Sequence, residues 1–380
     1  MKLIVAALLP LVAGLSFAEE VPQVLSIGSD LPSFSLLGID GKTHSEKDYA
    51  EAKVLCLVFT CNHCPDAVAS AKRLEQIHQD YQGKDVALVA VNANNAASLR
   101  PDELGYSPYN DSFEEMTPFA KDHGWTFPYL YDGEKQGLAT ACGAQSTPHV
   151  FIFDAERKLR YTGRMDDARR SSKPVGPSYL RDALDALLAG REVEHPVTRS
   201  FGCSTKWLFK KNTVAQDQKA WEARPVTLDK LDEALAKKLR QNESGNVRVI
   251  NFWSTTCGPC VAEFPDLVET YRRFQNRTVD FITISLDPAE DEAKVLKFLK
   301  SRQAALSPRT EPSMKKEGRT SNNYLWTGGN PDRLAEAIHP DWTGALPLTV
   351  IISPEGQVIW SHGGQLDVVA LRTAILQGLE

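Results

Sequence analysis

Long apolar runs are scarce in this chain of 380 residues. The one that stands out, Leu3 to Phe17, follows a basic start at Met1-Lys2, is interrupted by Pro10 and ends in Ser16-Phe17-Ala18. A membrane span needs about 20 apolar residues, so this run reads instead as a signal peptide over residues 1–18, cleaved near Ala18-Glu19. No cysteine follows it, so a lipid anchor is not indicated, and the mature chain is expected to have no membrane partner. Basic blocks and aromatic-basic stripes are missing too. Acidic and basic residues are mixed, with a formal net charge of -6, which excludes nucleic acid as an expected partner. Cysteine is sparse, with seven in the chain. At this length disulfides are not needed as the main staples, and an odd count leaves at least one thiol free or paired outside the chain. Export to an oxidising compartment lets disulfides persist, so closely spaced cysteines point to chemistry.

What is present is a pattern written twice. In the first half the apolar run Lys53 to Thr60 leads into Cys61-Asn62-His63-Cys64. Pro65 then opens a helix with Val68, Ala71, Leu74, Ile77 and Tyr81 at helical spacing. A strand over 85–91 follows. Much later come Thr147-Pro148, strands over 149–154 and 159–163, and a helix over 178–189 stopped by Gly190. In the second half Thr227 is expected to cap a helix carrying Leu228, Leu231, Leu235 and Leu239. The strand 247–253 leads to Cys257-Gly258-Pro259-Cys260, opening a helix to about Phe274. A strand over 279–286 and a helix over 290–302 come next. Leu346-Pro347 then precedes strands over 348–353 and 357–361 and a last helix over 366–379. Residues 205–226 read as a polar linker, and 92–112 and 304–345 as long irregular stretches near the active sites. The expected layout is α/β: residues 19–204, a linker 205–226, and residues 227–380.

A Cys-x-x-Cys pair at the start of a helix suits disulfide exchange. The reaction needs an exposed thiolate and a second thiol to resolve the mixed disulfide. A helix N-terminus lowers a thiol pKa through its free N–H groups and dipole. On this reading Cys61 and Cys257 are nucleophiles and Cys64 and Cys260 resolving thiols. His63 can charge and stabilise the Cys61 thiolate, and Glu263, one turn past Cys260, can accept a proton. No metal and no cofactor is called for: four cysteines for zinc would require two distant pairs to converge.

A strand, a Cys-x-x-Cys helix and a distant X-Pro before two strands resemble the thioredoxin fold, which implies two tandem thioredoxin-like domains, each a central mixed sheet flanked by helices. With Phe59 to Pro65 (FTCNHCP), Thr147 to Asp154 (TPHVFIFD) and Gly202 to Trp207 (GCSTKW), the first half resembles the redoxin-like branch of the AhpC/TSA superfamily. With Asn251 to Trp253, Cys257 to Cys260 and Glu263 to Pro265, the second resembles exported TlpA/ResA-type thiol-disulfide oxidoreductases. These resemblances imply that Pro148 and Pro347 are cis and face the dithiols, and that Thr147 and Leu346 offer backbone pairing to an extended client. They imply a proton-accepting role for Glu263. They also imply that Asn251 takes the place of thioredoxin's buried Asp, where the first half has Leu55. A His before the second Cys is similar to the oxidising DsbA type and Gly-Pro to thioredoxin, which implies electron flow from the second pair toward the first. Expected partners are cysteine-containing exported proteins and a thiol donor or acceptor.

Cys56 reads as an inert core thiol. Cys142 and Cys203 stay open: they are buried and inert, bridged to each other, or extra redox thiols. Two other functions compete with this reading. A thiol peroxidase is disfavoured, because peroxiredoxins carry Thr or Ser three residues before the reactive Cys, where Val58 precedes Cys61 and Cys61 precedes Cys64. A copper chaperone using Cys61, Cys64, His63 and His149 ranks below a structural role for His149.

Overall fold

The computed structural model describes residues 21–380, so the expected signal peptide lies outside the described residues. The first half runs β1 (Ser35–Gly38), β2 (Thr43–Ser45), β3 (Val54–Thr60), α1 (Pro65–Tyr81), β4 (Val86–Asn92), α2 (Phe113–Asp122), β5 (Tyr129–Tyr131), α3 (Gly137–Cys142), β6 (Ser146–Thr147), β7 (His149–Phe153), β8 (Leu159–Gly163), α4 (Tyr179–Leu188) and β9 (Cys203–Ser204). A connecting helix α5 (Lys211–Glu222) leads to β10 (Asp229–Leu231), α6 (Glu233–Gln241), β11 (Val247–Trp253), α7 (Gly258–Phe274), β12 (Val279–Ser285) and α8 (Glu292–Ser301). The chain ends with α9 (Glu311–Lys316), β13 (Asn323–Trp326), α10 (Pro331–Ile338), β14 (Leu348–Ile352), β15 (Val358–Gly363) and α11 (Val368–Gly378).

Each half builds one mixed sheet flanked by helices. The strand orders are β2-β1-β5-β4-β3-β7-β8 and β10-β13-β12-β11-β14-β15. The segments β5-β4-β3-β7-β8 and β13-β12-β11-β14-β15 correspond strand for strand, which is the duplication seen in the sequence. The strand β3 is apolar throughout because both of its faces are covered. Val54, Cys56 and Val58 enter one core and Leu55, Leu57 and Phe59 the other.

Three expectations change. Thr227 does not open a helix: residues 229–231 pair parallel with β13 at the sheet edge, and the helix starts at Asp232, whose carboxylate accepts from the Leu235 N–H at 2.8 Å. A later, stronger cap displaces the earlier one. The stretch 205–226 is not a plain linker. Trp207 packs into the first half and Trp221 into the second, and Trp221 Nε1 donates to the Gln303 carbonyl at 3.0 Å. Burying one such side chain is worth about 2–3 kcal/mol, yet a single Trp on a polar helix leaves no apolar stripe to read. The stretch 304–345 contains α9, β13 and α10, each too short to show a period, whereas 92–112 is irregular apart from two short helical turns.

The halves are fastened through the C-terminal end of α7. Arg273, fully buried, donates to the carbonyls of Pro108 (2.7 Å) and Tyr109 (3.1 Å). Arg277 donates to the Gly105 carbonyl at 2.6 Å and Asn276 to the Asp102 carbonyl at 3.1 Å. Gly105 suits this approach, because a Cβ there would stand 2.7 Å from the Arg273 carbonyl oxygen.

Candidate active sites

Strand register shows which residues of the two halves correspond. Both X-Pro bonds, Thr147-Pro148 and Leu346-Pro347, are cis. The residue after each proline pairs with the central strand: His149 with Phe59, and Leu348 with Phe252. Counting on from Phe59 and Phe252, Cys64 stands where Cys257 stands. The helices agree, since α1 and α7 both have 17 residues and their caps are Cys64 and Cys257. The first dithiol is therefore set back by three residues. Its second cysteine caps the helix, its first lies in the preceding loop, and Ala67 occupies the place of Cys260. By the same register the counterpart of Asn251 is Val58, not Leu55.

The first half therefore departs from the expected geometry. Cys61 is fully buried and away from the helix end, so it is not the exposed nucleophile. Burial pushes its thiol well up, and the nearby Cys64 and Asp111 add to the effect. Cys64 is also sealed. Burial alone would raise it, but hydrogen bonds from Cys203 and Cys61, the His63 charge and the Ala67 N–H outweigh burial and hold it well below the ordinary thiol value. Cys64 is thus the first sulfur of the cluster to ionise. Its Sγ lies 3.1 Å from the Thr147 carbonyl oxygen, and Cys61 Sγ lies 3.1 Å from the Thr147 hydroxyl.

His63 acts on Cys64 rather than Cys61, and Asp111 is why it carries charge. Burial favours the neutral ring, but the Asp111 carboxylate, 2.7 Å from Nδ1, wins and raises the His63 pKa. Asp111 also accepts from the N–H groups of Asn62 (2.8 Å) and His63 (3.2 Å) and from Asn94 Nδ2 (2.7 Å). Tyr129 holds the Asn62 side chain at 2.9 Å. Sequence reading missed Asp111, Asn94 and Tyr129, and no local motif marks them. It also passed over one signal that was there: proline favours the first helical position, so Pro65 marks Cys64 as the cap.

The expectation that Thr147 offers a free edge to a client does not hold. The strand β9 already pairs antiparallel with β6, placing Cys203 opposite Thr147. A bridge between Cys142 and Cys203 is not formed either. Cys142 packs with Phe59 and Phe151 in one core, its thiol pushed up to about 12 by burial, while Cys203 joins Cys61 and Cys64. Cys56 is fully buried with its thiol raised by burial. His149 is structural: its Nδ1 accepts from the Gln145 N–H (3.3 Å), its Nε2 meets the Thr162 hydroxyl (3.2 Å), and burial lowers its pKa to about 4. Among the described residues, one group has metal-ligating spacing. Cys61, His63 and Asp111 each offer a ligand atom, all within 4.8 Å of one another, in a fully buried cluster. The Nδ1 of His63 is taken by Asp111, which leaves its unpartnered Nε2 as the free donor.

In the second half Cys257 caps the helix and Cys260 lies in its first turn. Cys257 and Cys260 are joined in a disulfide. Cys257 is half-buried between exposed Thr256 and Gly258, and Cys260 is buried against Trp253 and Phe264. As the cap of α7, Cys257 accepts from the Cys260 N–H at 3.3 Å. Glu263 is buried, which raises its pKa. The Leu366 N–H (3.1 Å) and the Asn251 amide (3.5 Å) temper that rise. Leu346 stays half-exposed, with no strand paired to it among the described residues.

The family profile described as AhpC/TSA matches residues 27–162 and again residues 222–361. The chain belongs to the AhpC/TSA family. The double match makes it a tandem redoxin-type member, with one thioredoxin-like sheet per match. This AhpC/TSA protein is similar to the thiol-disulfide oxidoreductase ResA of Geobacillus thermodenitrificans, 26% identical over 165 residues, which cover 42% of this chain and 83% of the relative. The ResA of Bacillus subtilis is 29% identical over 130 residues, covering 34% and 60%. These likenesses support an oxidoreductase activity. Among solved structures, an uncharacterized conserved protein from Geobacillus kaustophilus is 38% identical, covering 48% of this chain and 92% of its own, with a TM-score of 0.43. A hypothetical protein from Sinorhizobium meliloti is 33% identical, covering 49% and 96%, with a TM-score of 0.44.

Proposed function

We propose that this is an exported thiol-disulfide oxidoreductase that exchanges disulfides with cysteine-containing exported proteins through two dithiols, Cys61/Cys64 and Cys257/Cys260. The observation that carries this reading is the repeated placement of a cysteine as the cap of a 17-residue helix, with a partner sulfur three residues away. At the second site the Cys257 thiolate attacks a client disulfide, and one client thiolate leaves. Cys260 then attacks Cys257, releasing the second client thiolate and leaving the bond found here. Two electrons pass to the client, and an outside dithiol restores the pair. Glu263 serves as the buried acceptor for the proton of Cys260.

The pairs differ in the residues between their cysteines. Gly-Pro favours a reducing pair and a charged His beside the second sulfur an oxidising one. The reference proteins for these types lie about 150 mV apart, roughly 7 kcal/mol for two electrons. Electrons accordingly run from Cys257/Cys260 toward Cys61/Cys64. The far end of α7, roughly 24 Å along the helix from Cys257 at 1.5 Å per residue, faces the first domain. The transfer therefore passes through a client or carrier rather than by direct contact.

Trapping tests the reading. A Cys260→Ser variant, in the exported full chain, is expected to hold a mixed disulfide on Cys257 whose partner mass spectrometry identifies. Reduced wild-type protein that neither reduces a protein disulfide nor reacts with iodoacetamide at Cys257 would remove the proposal. Equal or reversed potentials for the two pairs would remove the relay alone.

A further inference from the structure

The first centre contains a third sulfur, and of the three it is the one that reaches the surface. Cys61 and Cys64 are fully buried, whereas Cys203 is part-exposed. The Cys203 N–H donates to Cys64 Sγ at 3.2 Å. The nearness of the Cys203 side chain is the foremost of the effects that favour the Cys64 thiolate, and the same nearness raises the Cys203 thiol.

The segment carrying Cys203 is fastened on both sides. Cys203 lies opposite Thr147 in the β6–β9 pair. The Thr205 N–H donates to the Gln145 carbonyl at 3.0 Å. The Lys206 N–H donates to Asn94 Oδ1 at 2.8 Å, and Asn94 in turn holds Asp111. Trp207 is buried. Gly202, at φ +135°, passes so close to the Thr147 carbonyl that any Cβ would collide with it. The chain thus spends its own strand on the Thr147 edge and sets a cysteine there, against the most acidic sulfur of the cluster.

Resting on the exchange function above, we propose that Cys203 is the entry sulfur of the first centre: outside disulfides react at Cys203, and Cys64 passes the bond inward to Cys61. Starting from the reduced centre, the Cys203 sulfur attacks an outside disulfide, RSSR′, while the neighbouring Cys64 thiolate takes its proton as the bond forms; Cys203–S–SR results and R′S⁻ is released, which takes the proton back from Cys64. The Cys64 thiolate attacks the Cys203 sulfur, forming Cys64–Cys203 and releasing RS⁻. Cys61 gives its proton to RS⁻ and attacks Cys64, forming Cys61–Cys64 and returning the Cys203 thiolate, which regains a proton from the RSH. Two electrons leave Cys61 and Cys64 for RSSR′, and the net proton carried off is that of Cys61.

The test uses the full chain with Cys257→Ser and Cys260→Ser, reduced and then exposed to oxidised glutathione, with disulfides mapped by mass spectrometry. With Cys64→Ser added, glutathione is expected on Cys203. With Cys61→Ser added, a Cys64–Cys203 bond is expected. With Cys203→Ser or Cys203→Ala added, closure of Cys61–Cys64 is expected to slow roughly tenfold or more, because the remaining thiols are sealed. Glutathione on Cys61 in the Cys64→Ser chain overturns the proposal. So does closure at the parent rate without Cys203, and that outcome leaves the exchange function standing. A parent chain that never forms Cys61–Cys64 removes the exchange function at this centre instead, and the entry role with it.

Discussion

Replacing Asp111 by Asn isolates the electrostatics of the first centre. The carboxylate is fully buried and accepts four hydrogen bonds, two of them from the backbone of Asn62 and His63. Asn keeps the shape but loses the charge, and it turns one acceptor into a donor facing His63 Nδ1 and Asn94. Stripping one partner from a buried ion pair costs about 3–5 kcal/mol when the survivor stays charged. His63 avoids much of that by losing its proton, so the expected loss of stability is about 1–3 kcal/mol. The sign of the pH dependence follows. His63 is held above its ordinary value of 6.5, so its contribution is fully present below that value and is lost as pH rises through the folded one. Cys64 is held below its ordinary 9.0, so its contribution is present above 9.0 and is lost as pH falls through the folded value. The part of the stability gap that comes from His63 should therefore be larger on the acid side of 6.5, and the part that comes from Cys64 larger toward 9.0. The two sulfurs should move in opposite directions: Cys64 up, because the neutral ring no longer favours its thiolate, and Cys61 down, because a neighbouring negative charge is gone. Urea unfolding gives the first quantity. Ultraviolet thiolate absorbance, in a reduced chain lacking Cys257 and Cys260, gives the second. A thiolate titration that does not move refutes the assignment of His63 and Asp111 as the source of the Cys64 acidity.

Arg273→Ala removes two charged hydrogen bonds to the carbonyls of Pro108 and Tyr109 from a guanidinium that burial pushes down to about 9. The expected cost is about 1–3 kcal/mol, with calorimetry resolving two unfolding transitions; a single transition at the wild-type midpoint contradicts the clamp. Glu263→Gln should flatten part of the acid dependence of stability. The folded chain binds that proton more tightly than the unfolded one, so wild-type stability falls as pH rises from 4.5 through the folded value, and the variant should lose this slope. The same variant should slow disulfide exchange at the second site while leaving alkylation of Cys257 unchanged, and an unchanged exchange rate argues against the proton-accepting role. Gly202→Ala should force β9 off β6 and raise alkylation of Cys64 by roughly tenfold, since thiol reactivity follows exposure, as read by peptide mapping; wild-type protection would mean that the close approach at Thr147 is not what seals the centre.

Several elements were legible because their signals are local. The strands β3 and β11 are buried on both faces; β3 therefore reads as a nearly continuous apolar run, and β11 is apolar but for Arg248 and Asn251. The helices α1, α4 and α7 carry apolar positions at helical spacing, and the Cys-x-x-Cys pairs at two of their starts announced sulfur chemistry. The strands β1 and β10 and the helix α10 were hidden, because each is only a few residues long and its place is set by a neighbour. The equivalence of the two dithiols was misleading for a related reason. The order of the motifs aligns Cys61 with Cys257, whereas strand register and helix caps align Cys64 with Cys257.

From the amino-acid order alone came the duplicated α/β plan, the two dithiols and the pair of prolines, because periodicity and short motifs are properties of neighbouring residues. Which sulfur is acidic and which one meets solvent was decided by tertiary structure. The Asp111 that charges His63 lies 48 residues from it, and the Cys203 that rests on Cys64 lies 139 residues away. Burial and ion pairing depend on everything packed around a group, and that packing exists only once the chain has folded.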